Sequence, residues 1–118
     1  MPVILPVLLS EGYNKRNISL ERIAEISSAN PAKIFGLWPQ KGSLSIGSDA
    51  DLVMVDLNLE KVITAKGLQG RADYSIYENQ KMKGWPVLTM IRGKQVARDG
   101  KLLTEPGSGK FIHRNIGI

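Results

Sequence analysis

The sequence predicts an α+β chain, helical before Lys41 and built of short strands after it. Three observations carry this reading. Leu20, Ile23 and Ala24 recur at helical spacing behind a capping serine. An Asn30-Pro31 step and Gly36 bracket a second short helix. From Lys41 onward, short apolar runs alternate with glycine-bearing turns. With 118 residues and 42% hydrophobic content, the chain has room for one modest core.

The opening stretch, MPVILPVLLSEGY, is apolar, but it has no basic flank and is interrupted by Pro2 and Pro6. It is too short to cross a bilayer, so no membrane span is expected. Ser19 is the expected N-cap of the first helix, with Glu21 in the first turn, where a negative charge suits the free amides. Leu20, Ile23, Ala24 and Ile26 form its packed face. Asn30 is the expected start of a second helix, because its side chain can accept from a free amide and Pro31 at the first position loses no hydrogen bond. Gly36 ends that helix, Trp38-Pro39 leads the chain away, and Ala32, Ile34, Phe35 and Leu37 supply its apolar contacts.

In the second regime, Leu44 and Ile46 alternate with polar residues and predict a short half-buried strand, followed by a turn at Gly47-Ser48-Asp49. Leu52 to Val55 is a continuous apolar run, expected as a strand buried on both faces. Val62-Ile63 reads as a separate strand after a turn near Asn58, and 66–83 as a loop with one irregular helical turn. Val87 to Ile91, Gln95 to Arg98 and Lys101 to Leu103 form a meander, reversing at Arg92-Gly93 and Asp99-Gly100. Beyond Thr104 the tail has turn composition and either wraps over other surface or is loose. These strands need a second layer. Either the helices supply it, or apolar faces are left exposed and favour self-association.

The absence of cysteine removes disulfides and thiolate metal sites and fits a reducing compartment, so a soluble cytoplasmic protein is expected. The net charge is +5, with lysine and arginine scattered from Lys15 to Arg114; only QKMKGW at 80–85 resembles a basic cluster beside an aromatic. Counterion release rewards clustered charge, so an ordinary solvated surface is the better reading and a small basic nucleic-acid-binding module is an alternative. Trp38, Trp85, Phe35, Phe111 and the three tyrosines are scattered, which favours packing in a core or interface over a base-stacking platform.

Hydrolytic chemistry has little to build on. A metal centre needs several converging imidazoles and carboxylates, yet His113 is the sole histidine. Asp49, Asp51 and Asp56 lack the spacing of a calcium loop and read as turn and strand-end acids that accept nearby amide hydrogens. GSGKF at Gly107 fails as a phosphate loop, because Thr104 stands where glycine is required and Phe111 follows Lys110 in place of serine or threonine. Ser27, Ser28, Ser45 and Ser48 have only His113 as a possible base, and none sits in a nucleophile-elbow pattern.

Two stretches carry a resemblance. SSANPAKIFGLWPQKGSLSIGSDADLVMVDLN resembles the C-terminal part of cyclic amidohydrolases, and ADYSIYENQKMKGWPVLTMIRGKQVARDGKLL is most similar to their hydantoinase and dihydropyrimidinase branch. Together with the flanking chain, the similarity runs from about Leu5 to Arg114. It implies the terminal helices of a (β/α)8 barrel followed by strands of a small β-sandwich domain. The boundaries implied are residues 1–40 for the barrel end, 41–104 for the sandwich share and 105–118 for a tail.

The resemblance also implies that Asn30, Pro31, Gly42, Gly47, Asp49, Ala50 and Asp51 serve structure: a helix start, a turn and the entry to a strand. The histidine ligands, bridging lysine and catalytic aspartate of that family belong to barrel strands preceding this segment. Neither Lys33 nor Lys41 stands in the bridging lysine's motif. No catalytic, substrate-binding or metal residue is therefore assigned here, and no cofactor; the two divalent, zinc-type ions are expected only in relatives of full length. The expected function is that of a hydantoinase-like C-terminal segment without a catalytic centre, inactive alone. A structural module that self-associates or completes a separate barrel is the alternative.

Overall fold

The computed structural model describes residues 3–115. Helical structure fills most of residues 4–34, and a four-stranded antiparallel sheet in the order β1-β2-β3-β4 follows. The sheet does not close on itself.

Helix α1 (Ile4–Val7) runs into a π-helical segment, Leu8–Asn14, whose inward face is Leu9, Ser10 and Gly12. The chain folds back after this segment, where the Ile18 amide donates to the Gly12 carbonyl at 3.1 Å. Helix α2 (Leu20–Ala24) starts as expected, with Ser19 Oγ accepting from the Arg22 amide at 3.2 Å.

The expected fresh start at Asn30 does not occur. A second π-helical segment (Glu25–Ala29) joins α2 to α3 (Asn30–Ile34), and Ala29 before Asn30 is already helical at φ −64° and ψ −47°. Asn30 donates its amide to the Glu25 carbonyl and caps nothing. Pro31 lacks a donor and its ring crowds the preceding turn, and the widened turn just before it accommodates both defects without ending the rod. Gly36 does end it, at φ +69°, with its own amide on the Lys33 carbonyl at 3.2 Å and the Leu37 amide on the Ala32 carbonyl at 2.8 Å.

Of the apolar residues expected to pack from this rod, only Ile23 and Ala32 are buried and Leu37 is half-buried. Leu20, Ala24, Ile26, Ile34 and Phe35 are exposed, Leu20 and Ile26 only in part and Ile34 and Phe35 for most of their surface. Leu44 and Ile46 form no strand and stand in solvent.

Strand β1 (Leu52–Val62) merges the two short strands expected there, and Ile63 lies just beyond it, fully buried. Its apolar run is not buried on both faces: Val53 and Met54 are exposed. The turn expected near Asn58 appears as an irregularity within the strand, where Asp56 Oδ1 accepts from the amides of Asn58 and Leu59. Strand β2 (Lys81–Ile91) begins six residues before the expected Val87, inside what reads as loop, and it contains Trp85-Pro86. Pro86 is tolerated because it sits at a bulge, where the β1–β2 register shifts between Met54–Leu88 and Val55–Pro86 and the ladder is already interrupted. Strands β3 (Lys94–Arg98) and β4 (Lys101–Leu102) follow through turns at Arg92-Gly93 and Asp99-Gly100. In both turns the two central residues have positive φ, which matches the twist of an antiparallel hairpin.

The helices do supply a second layer over part of the sheet. Leu9, Ile23, Ala32, Ile63, Met82 and Leu88 form the core. Gly84, at φ +105°, lies so close to the first π-helical segment that a Cβ would fall 2.7 Å from Leu9 Cβ. Next to it, Ser10 Oγ accepts from the Lys83 amide at 3.1 Å, and Asn14 Nδ2 donates to the Lys83 carbonyl at 2.9 Å. These bonds satisfy strand backbone that β3 does not reach. The tail wraps back over other surface: Ser108 accepts from Arg92 Nη2, and the Asn115 amide donates to the Gly36 carbonyl at 2.8 Å.

Candidate functional site

A half-buried polar cluster is built on Lys41, a residue to which the sequence assigns no role. Its ammonium, half-buried where the chain leaves the helices, bridges Asp49 Oδ2 at 2.8 Å and Asp51 Oδ2. Gln40 Nε2 reaches the same Asp49 oxygen at 3.3 Å, and the Asp49 amide donates to the Gln40 carbonyl at 2.9 Å. Asp51 Oδ1 accepts from the Arg92 amide at 2.8 Å, while the Gly93 amide donates to the Ala50 carbonyl at 3.0 Å. The loop after the helices is thereby tied to the β2–β3 turn. Gly42, at φ +77°, presses on the rod; a Cβ there would lie 2.6 Å from Ala32 Cβ and 2.9 Å from the Ser28 carbonyl oxygen.

The structure thus brings Gly42, Asp49, Ala50 and Asp51 together around Lys41. Asn30 lies in the rod, and Gly47 forms the expected turn at φ +95° facing open space. No sequence spacing signals Lys41, because its partners lie eight and ten residues downstream and converge only through the turn.

Electrostatics favour the charged forms of Asp49 and Lys41. The Lys41 hydrogen bond, aided by Gln40, holds the Asp49 carboxyl below its usual range. Burial alone would lower the Lys41 ammonium, but hydrogen bonds to Asp49 and Asp51 outweigh it and the net displacement is upward. A lysine held charged in this way is neither a general base nor a carbonyl nucleophile near neutral pH. The cluster is a clamp.

Lys41, Gly42 and Asp51 also line a cleft of about 760 Å³ between the helices and β1, whose wall is otherwise mostly apolar. Ser27 and Ser28 line the same cleft, and the remaining chemical candidates lie apart from it. His113 is exposed in the tail, edge-on to Phe111 at 4.9 Å. Ser27 Oγ donates to the Ile23 carbonyl and Ser48 Oγ to the Pro39 carbonyl. Among the described residues, no group of three or more histidines, cysteines or carboxylates is placed to hold a metal ion, and no helix is long and apolar enough to cross a membrane.

An α+β chain with an unclosed antiparallel sheet and an acid-locked lysine is what comparison with known proteins classifies. This chain belongs to the amidohydrolase family, whose model matches residues 3–96. Within it, the chain is 44% identical over 110 residues to the L-hydantoinase of Paenarthrobacter aurescens, covering 93% of this chain and 24% of that protein. It is 41% identical over 108 residues to the D-hydantoinase of Geobacillus stearothermophilus, covering 92% of this chain and 23% of that protein. The solved dihydropyrimidinase of Brevibacillus agri superposes with a TM-score of 0.89 at 34% identity, over 93% of this chain and 24% of that one. This chain therefore spans about a quarter of the length of these relatives.

Proposed function

We propose that this chain is the C-terminal segment of a hydantoinase- or dihydropyrimidinase-type cyclic amidohydrolase and contributes packing and assembly surfaces without a catalytic centre. In this reading, residues 1–40 are the end of the barrel, 41–104 its share of a β-sandwich domain and 105–118 a tail. Asn30, Pro31, Gly42, Gly47, Asp49, Ala50 and Asp51 then serve structure. The observation that carries the reading is the pairing of near-complete coverage of this chain with about a quarter coverage of each relative.

In an enzyme of full length, two divalent metal ions would activate water to open a cyclic amide or ureide ring. The donors described here do not fit such a centre: His113 is solitary and exposed, and Asp49 and Asp51 are committed to Lys41. No step of ring opening is assigned to any residue of this chain.

The purified chain, tested with and without zinc on a 5-substituted hydantoin and on dihydrouracil, is expected to give no turnover above buffer. Metal-dependent ring opening by the chain alone would overturn the proposal. A structural role is favoured by one further observation, the exposure of Phe35, Leu44 and Val53 around the cleft.

A further inference from the structure

We propose that the Asp99-Gly100 reversal between β3 and β4 is a self-modification site, where the aspartyl link converts through a cyclic imide to an isoaspartyl link and becomes a substrate for an isoaspartyl carboxyl methyltransferase. The reactants are Asp99, the Gly100 amide and water. In the first step the Gly100 nitrogen attacks Cγ of the Asp99 carboxyl group. A C–N bond closes the ring, the C–O bond to the hydroxyl breaks, and that hydroxyl leaves with the amide hydrogen as water. In the second step water reopens the ring. Opening at the side-chain carbonyl restores aspartate, whereas opening at the main-chain carbonyl leaves Gly100 joined through Cγ, with one extra carbon in the backbone.

Asp99 is the only aspartate followed by glycine; Ala50, Leu52, Leu57 and Tyr74 follow the others, and a side chain on the following residue screens its amide. Asp99 is exposed and, among the described residues, enters no ion pair. By contrast, Asp49 and Asp51 are held by Lys41, and Asp56 by the amides of Asn58 and Leu59. The Gly100 amide stands outside the ladder, because β3 and β4 pair through Arg98–Lys101 and Ala97–Leu102 and the turn lies beyond both. Nothing lies within 4 Å of a Cβ built on Gly100, so the space beside its nitrogen is open. Ring closure requires Asp99, at φ +49°, to leave its turn conformation. That opening is local. β4 is two residues long at the edge of the sheet, and beyond its ladder the segment is held by the Asp99 amide on the Val87 carbonyl at 2.9 Å and the Leu103 amide on the Val96 carbonyl at 2.8 Å. The edge can therefore peel away while β1 and β2 stay paired. Once formed, the longer backbone no longer fits a two-residue reversal, so β4 loses its register and the Gly100 carbonyl leaves Gln69 Nε2, its donor at 3.1 Å.

The experiment ages the full chain at neutral pH in warm buffer and samples it with purified isoaspartyl methyltransferase and labelled S-adenosylmethionine. The position is read with an endoproteinase that cleaves before aspartate and not before isoaspartate. Label should accumulate with time, matched by loss of cleavage before Asp99. Asp99→Ser should abolish it, and Gly100→Ala should remove most of it while keeping the carboxylate. Alanine at φ +78° strains the turn and favours its opening, so a fall in label in that variant reports screening of the amide and not a tighter fold. Absence of label at Asp99 would overturn the proposal. So would equal labelling of Asp73, which is also exposed but precedes Tyr74, or undiminished label in Gly100→Ala. Label that grows in proportion to the unfolded fraction in dilute urea would assign the reaction to the unfolded chain and overturn the local route through β4.

Discussion

Replacing Gly84 by alanine tests whether the first helical segment is seated on the sheet. Two costs combine. The φ of +105° belongs to a region that residues with a Cβ avoid, and a left-handed backbone costs them roughly 1–2 kcal/mol. The new methyl would stand 2.7 Å from Leu9 Cβ and 3.4 Å from Leu9 Cδ1; Leu9 is fully buried, and overpacking of this kind costs about 1–3 kcal/mol. The sum is about 2–5 kcal/mol. Gly93→Ala isolates the first cost, since Gly93 has φ +76° and nothing lies within 4 Å of where its methyl would stand. Urea unfolding followed by circular dichroism should therefore show Gly84→Ala losing about 1–3 kcal/mol more than Gly93→Ala. Equal losses would refute the reasoning, because they would mean that Leu9 does not rest on β2.

Two further outcomes are expected. Asp49 titrates below its ordinary value of 3.8 in the folded chain, so its contribution to stability is present above that value and disappears as pH falls through the lower, folded one. Lys41 is displaced above 10.5, so its contribution is complete below 10.5 and disappears as pH rises through the higher, folded value. Asp49→Asn should flatten the acid limb of unfolding free energy against pH, Lys41→Met should flatten both limbs, and an unchanged acid limb in Asp49→Asn would contradict the clamp. Gly36→Ala would drive a methyl to within 2.7 Å of the Asn115 carbonyl oxygen and break the tail's hold, so amide exchange near Asn115 should accelerate while that of β2 does not; unchanged exchange at Asn115 would contradict the contact.

The features legible in the sequence are those that local chemistry decides. Ser19 caps because its hydroxyl reaches an amide three residues on, and Arg92-Gly93 and Asp99-Gly100 reverse the chain because their dihedrals suit tight hairpins. Burial is legible only where this chain supplies the neighbour. Leu44, Ile46 and Ile34 carry the apolar pattern of packed residues and stand in solvent, since a pattern records what a residue is suited to meet and not whether the partner is present. The start of β2 is hidden differently. Lys81 and Lys83 face out and Met82 and Gly84 face in, a regular alternation, but glycine and a nearby proline read as loop when their reason, the approach of Leu9, lies 75 residues away. For the Lys41 clamp, the acids are legible as turn residues that accept amide hydrogens, which Asp51 and Asp56 do; the ammonium between Asp49 and Asp51 is not.

The grip of Ser10 and Asn14 on Lys83 has a kinetic consequence. These bonds join residues 73 and 69 positions apart, whereas each hairpin closes over two. Loop-closure entropy makes the hairpins early and fast and the docking of the amino-terminal helix late. On the ribosome that helix emerges well before β2, its docking partner, and must wait, oily side uncovered, until that strand has been made before it can settle.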